Sequence, residues 1–233
     1  MPAPPSSTYI APMIEALRLQ PTSVALTGQN RVLLTQVAVG LAGHLNPEFL
    51  WFDIRDHRSQ APPWQLALES DLSSTRLHLI DVPEMRLDSE GADRESPGTV
   101  FNPPAAPSPG LLDDLSRIPE SIRRAALTGE PDGVPKVILL TNAERASAAF
   151  DASSGSLRPY IEALNQLGVT VLVTACSRPR ENKHDLDLLL RVEGPRDDAR
   201  GPATVVCEGV RTVGRFPSVP PGATYSPSAF IHP

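Results

Sequence analysis

The runs SVALT (23–27), FLWF (49–52), KVILL (136–140) and VTVLVT (169–174) constrain this chain more than any other feature. Each is apolar almost throughout and lacks the alternation of a strand with one wet face. Such runs belong to strands covered on both faces, as in a parallel sheet with helices above and below. Helical spacing fills the stretches between them. Residues 31–44 are apolar nearly all round, with Val32, Leu33, Val37, Val39, Leu41 and Ala42, which predicts a helix buried against the sheet. Residues 157–167 turn Ile161 and Leu164 inward and stop at Gly168. Residues 111–127 carry one apolar stripe, split at Pro119, where a second helical half restarts. An early turn of helix is expected at 9–19, a short helix at 62–68 and a strand at 76–80. The segments 187–192 and 203–207 read as a terminal strand pair joined by the polar EGPRDDARG. The predicted fold is α/β and three-layered: a mainly parallel sheet flanked by helices, with a C-terminal antiparallel strand pair.

With 233 residues and 40% hydrophobic composition, one domain with a sizeable core is expected. Residues 1–8 read as a disordered leader and 9–216 as the domain. The segment 82–110, with six prolines among Gly, Ser and charged residues, reads as a surface insertion. The Pro-rich tail 217–233 is expected to be extended. A formal net charge of -6 without a basic cluster argues against a nucleic-acid partner. The start MPAPPSSTY has neither a charged nor an apolar signal region, and no run approaches a membrane span of about 20 apolar residues. A cytoplasmic location without membrane contact is the expectation. Cys176 and Cys207 lie in or beside apolar runs and are expected to be buried thiols. The five histidines (His44, His57, His78, His184, His232) show no metal-ligand spacing.

In open sheets of this kind, ligands bind beyond the C-terminal strand ends. The residues expected there are Thr27-Gly28, Asp53, Asp81, Thr141-Asn142 and Thr174-Ala175. Gly28, Gln29, Asn30 and Arg31 join the first strand to the first buried helix. A helix N-terminus with an adjacent arginine suits an anion. The plainer expectation is that Gly28 makes the turn and Asn30 caps the helix. Asp53 and Asp56 are the candidate acid/base pair, although carboxylates at strand ends also serve as caps and anchors. SSGS at 153–156 reads as a linker and cap, and Arg178, Arg180 and Lys183 as a solvated basic loop.

The order of parts resembles the RecA/KaiC-like branch of the P-loop ATPases over about residues 20–215. SVALTGQNRVLLTQVAVGLA stands where the family has its first strand, phosphate loop and buried helix. FLWFDIRD offers Asp53 and Asp56 where a strand ends in residues that prepare the attacking water. KVILLTNAERASAAF offers Asn142 where the family has its metal-binding aspartate. YIEALNQLGVTVLVTACSRPR looks like the sensor strand, and LDLLLRVEG with PATVVCEGVRTVGR like the terminal hairpin. The resemblance implies a strand order in which the strand after the first buried helix lies away from the first strand, beyond the strand ending in Asn142. A further alternative is a flavodoxin-like or other doubly wound domain that never had a phosphate loop, and strand order distinguishes it.

The departures from the family decide the functional expectation. Its phosphate loop is G-x-x-x-x-G-K-[ST], in which backbone N–H groups and the lysine hold phosphates. After Gly28 neither the second glycine nor the lysine follows; Thr35 lies one turn into the helix and does not restore the loop. Asn142 carries no negative charge. Hydrolysis by the family mechanism has therefore lost its phosphate clamp and its metal-binding acid. The expectation is a degenerate domain, without cofactor or metal, that works through a protein partner or self-association. Gly28, Gln29, Asn30, Arg31 and Asn142 would be the remnant of the nucleotide site. The alternative is an ATPase with a rebuilt site, in which Arg31 replaces the lysine and Asp53 or Asp81 holds magnesium.

Overall fold

A computed structural model describes residues 10–56, 60–72, 77–82, 117–128, 136–145, 157–176, 186–194, 204–210, 219 and 222–231. The insertion at 82–110 lies almost wholly outside the described residues, as do the basic loop, 153–156, His57, His184 and His232.

The strands are β1 (Ser23–Gly28), β2 (Leu50–Asp56), β3 (Leu77–Val82), β4 (Lys136–Thr141), β5 (Val169–Ala175), β6 (Leu188–Glu193), β7 (Thr204–Val210) and β8 (Thr224–Tyr225). They form one sheet in the order β3-β2-β4-β5-β1-β6-β7-β8. The pairings from β3 through to β6 are parallel; β6–β7 and β7–β8 are antiparallel. β2 is separated from β1 by β5 and β4. In the flavodoxin-like order the second strand neighbours the first, so the flavodoxin-like order does not describe this chain.

The helices are α1 (Ile10–Arg18), α2 (Arg31–Leu45), α3 (Pro63–Ser70), α4 (Glu120–Leu127), α5 (Arg158–Gln166) and α6 (Ser228–Ile231). Strand alternation divides the core between two faces. Val24, Leu26, Trp51, Leu139, Leu172 and Leu190 meet α1 and α2. Phe52, Ile54, Ile138, Leu140, Val171 and Val173 meet α4 and α5. The central strands are buried along both faces, which is why they read as unbroken apolar runs. α2 is buried nearly all round because the sheet lies on one side and α1 and α6 pack against it as well. α5 ends at Gly168, whose φ of +84° suits glycine.

Two expectations need correction. The tail is not extended throughout: residues 224–225 pair with β7, and α6 returns to α2. Tyr225 and Phe230 are buried there and meet edge-on, 5.9 Å between ring centroids. His44 Nε2 lies 3.2 Å from the Ala229 carbonyl oxygen. Proline content obscured this because a two-residue strand and a single turn of helix have no periodicity of their own. Second, only Cys207 is a fully buried thiol; Cys176 is partly exposed. Burial pushes the Cys207 thiol up from its ordinary pKa and raises the Tyr225 phenol to about 12.

Candidate functional site

The link between β1 and α2 is short. β1 ends at Gly28 and α2 begins at Arg31, so only Gln29 and Asn30 lie between them. Asn30 is the N-cap: its Oδ1 accepts the Leu33 N–H at 3.1 Å, and its carbonyl accepts the Leu34 N–H at 2.9 Å. The cap satisfies a helix N–H that a bound anion would otherwise compete for. Gly28 has an equally structural reason. A Cβ there would lie 2.7 Å from the Val192 carbonyl oxygen of β6. The glycine lets two paired strands approach.

The residues of the expected phosphate loop do not converge. Gly28 and Gln29 line a cavity of about 390 Å³ with Thr27, Cys176 and Arg191, over the ends of β1 and β6. Arg31 lines a different cavity of about 260 Å³, with Thr35, Asp53, Arg55, Asn142 and Arg145 among its walls. Arg31 Nε also donates to Cys176 Sγ at 3.4 Å.

The second cavity holds the most organised polar chemistry among the described residues. Asp53 does not end its strand, contrary to expectation; β2 continues to Asp56, and Asp53 is 1% exposed. The β2–β4 register sets Asp53 opposite Thr141. Thr141 Oγ1 donates to Asp53 Oδ1 at 2.6 Å, and Asn142 Nδ2 donates to the same oxygen at 2.5 Å. Arg55 Nε donates to Asp53 Oδ2, and Arg55 Nη2 donates to Gln65 Oε1 of α3 at 2.5 Å. Trp51 Nε1 donates to Thr141 Oγ1 at 3.1 Å. Trp51, Asp53 and Arg55 share one face of β2 because strand side chains alternate. Asn142 holds φ at +62°, a left-handed conformation that asparagine tolerates better than most residues.

This geometry does not fit a magnesium–nucleotide site of the family type. Two residues are too few to wrap a phosphate as the longer glycine-rich loop does. Both Asp53 oxygens already accept hydrogen bonds, and an arginine neutralises the carboxylate in place of a metal. Among the described residues, no group of three or more His, Cys, Asp or Glu side chains is placed to hold a metal ion. Asp53 and Asn142, singled out separately in the sequence, do meet. The side chains of Asp56 and Asp81 lie outside the described residues. His44 contacts α6, and His78 stacks on Phe52 at 5.1 Å, so neither of them lines this cavity.

Sequence reasoning placed Thr141 at a strand end but missed Arg55, Gln65, Arg145 and the spacing of Thr35. Arg55 was legible as the next residue on the Asp53 face. Thr35 stands seven residues after Gly28, the distance of the hydroxyl in the phosphate-loop pattern. It is buried at the cavity wall, a full turn inside the helix. No local pattern marks Gln65 or Arg145.

No family model matches the chain, and no curated protein matches it significantly. Among the described residues, no helix is long and apolar enough to cross a membrane.

Proposed function

We propose that this chain is a degenerate RecA/KaiC-like domain that works as a regulatory or protein-interaction module. The observation that carries this reading is the two-residue β1–α2 connection with its Asn30 cap, which replaces a phosphate-wrapping loop. The strand order supports the RecA-like part: β2 lies beyond β4 from β1, as the resemblance implies. The neutral Asn142, hydrogen-bonded to an Asp53 already paired with Arg55, supports the loss of metal-assisted hydrolysis.

The rival is a nucleotide-binding ATPase with a rebuilt site. It draws on the fact that Arg31, Asp53 and Asn142 border one cavity. Calorimetric titration with ATP and GTP in magnesium separates the two readings. The proposal expects no binding and no phosphate release, together with concentration-dependent self-association in sedimentation or capture of a protein partner. Micromolar nucleotide binding that disappears in Arg31→Ala would refute it.

A further inference from the structure

The cavity between α2, β2 and the end of β4 has an unusual charge balance. Three arginines border it: Arg31 at the first turn of α2, Arg55 on β2 and Arg145 in the turn after β4. One described carboxylate, Asp53, faces them, and Arg55 already engages it. Among the described lining residues, three side chains are formally positive and one is negative, in a protein whose net charge is -6. The positive end of the α2 dipole adds to the field. Asn142 and Gln65 contribute neutral polar groups to the same wall.

Arg55 makes the second, independent observation. Its side chain is 5% exposed, with Nε on Asp53 and Nη2 on Gln65. Its Nη1 is buried and has no acceptor among the described residues. Leaving a charged donor without an acceptor costs free energy in a buried setting, and native proteins seldom tolerate it. An oxyanion beside Arg55 would supply that acceptor, with Arg31 and Arg145 closing on its other oxygens. Guanidinium groups match the spacing of phosphate oxygens better than any other side chain. A cavity of about 260 Å³ suits a phosphate group or a small phosphorylated molecule.

We infer that this cavity is a metal-independent binding site for a phosphate-class dianion, held by Arg31, Arg55 and Arg145. The inference rests on the reading that hydrolysis has been lost, and it names an input through which such a module would be regulated. Arginine stands where a hydrolytic site would need a metal, so binding requires no cation.

Inorganic phosphate is titrated into the full chain in EDTA, with ionic strength matched by chloride, and followed by calorimetry and thermal melting. Saturable binding with half-saturation below about 1 mM is expected. Arg31→Gln and Arg145→Gln each weaken it about ten- to hundredfold, as loss of a charged hydrogen bond would. Arg31 is exposed and Arg145 is only partly buried, so both variants retain the core. Arg124→Gln, on the exposed face of α4, leaves binding unchanged. Phenyl phosphate in a parallel titration identifies the source: tighter binding than phosphate indicates a phosphorylated small molecule, and weaker binding indicates the free ion. No effect beyond that of chloride overturns the inference, as does binding that survives both substitutions or that requires magnesium. A magnesium–ATP titration on the same samples keeps the two readings apart. Turnover of ATP, or micromolar ATP binding that Arg31→Ala abolishes, refutes the degenerate reading on which the inference rests, whereas silence towards both ATP and phosphate refutes only the anion site.

Discussion

Replacing Gly28 with alanine separates a structural glycine from a ligand-binding one. Gly28 pairs with Val192 in the parallel β1–β6 ladder near the middle of the sheet. The new Cβ would lie 2.7 Å from the Val192 carbonyl oxygen, whereas ordinary contact begins at 3.4 Å, so the strands must part by about 0.7 Å. The obstructing atom is backbone, so no side-chain rotation relieves it. Overpacking of this kind costs about 1–3 kcal/mol, and a backbone clash belongs at the upper end. For a chain of this size, about 2–3 kcal/mol lowers Tm by roughly 4–12 °C. Gly43 provides the comparison within the same unit. It lies inside α2, its added Cβ would meet nothing within 4 Å, and Gly43→Ala should gain about 0.5–1 kcal/mol of helix propensity. Both variants are measured by thermal melting and urea denaturation without ligand. A Gly28→Ala protein within about 0.5 kcal/mol of the parent would refute the close-approach explanation and return this glycine to the ligand question.

Three further outcomes follow from the structure. Asp53→Asn should lower stability in urea by about 3–5 kcal/mol, because it leaves the Arg55 charge buried without compensation; an unchanged midpoint would mean that Asp53 is not an anchor. Phe230→Ala should cost about 3–5 kcal/mol, since the ring is fully buried between Tyr225 and the core that includes α2; a neutral result would show that the C-terminal segment does not belong to the cooperative unit. Tyr225 has a folded pKa near 12 against an ordinary 10, so the unfolded chain loses this proton first as pH rises. Its contribution is level below about pH 10, declines between about pH 10 and 12, and amounts to roughly 2–3 kcal/mol. Tyr225→Phe should remove that part of the alkaline slope and change little at neutral pH, because the hydroxyl has no hydrogen-bond partner among the described residues. The burial-raised Cys207 thiol shifts stability in the same direction and remains in both proteins.

The sheet was legible because its central strands are buried on both sides, so VTVLVT and KVILL carry their environment in their composition. α2 was legible for the same reason, being enclosed by the sheet and by α1 and α6. The short elements were not. TY becomes a strand only because β7 offers an edge, and SAFI becomes a helical turn only against α2. Neither property is encoded within a local window. At the candidate site, Asp53 and Asn142 stood out as residues near strand ends, but their contact depends on the register that sets Asp53 against Thr141. The gathering of Arg31, Arg55 and Arg145 around one cavity depends on three separate elements converging, which no spacing in the sequence expresses.

The position of β1 also has a consequence for synthesis. Both of its neighbours, β5 and β6, come from residues 169–193, while β1 itself is complete at residue 28. At about 5–20 residues per second, roughly 7–35 s separate translation of β1 from that of its partners. Throughout that interval the first strand lacks both of the strands it pairs with. β1 therefore closes the parallel part of the sheet late, joining β5 and β6 only after β2, β3 and β4 have been made.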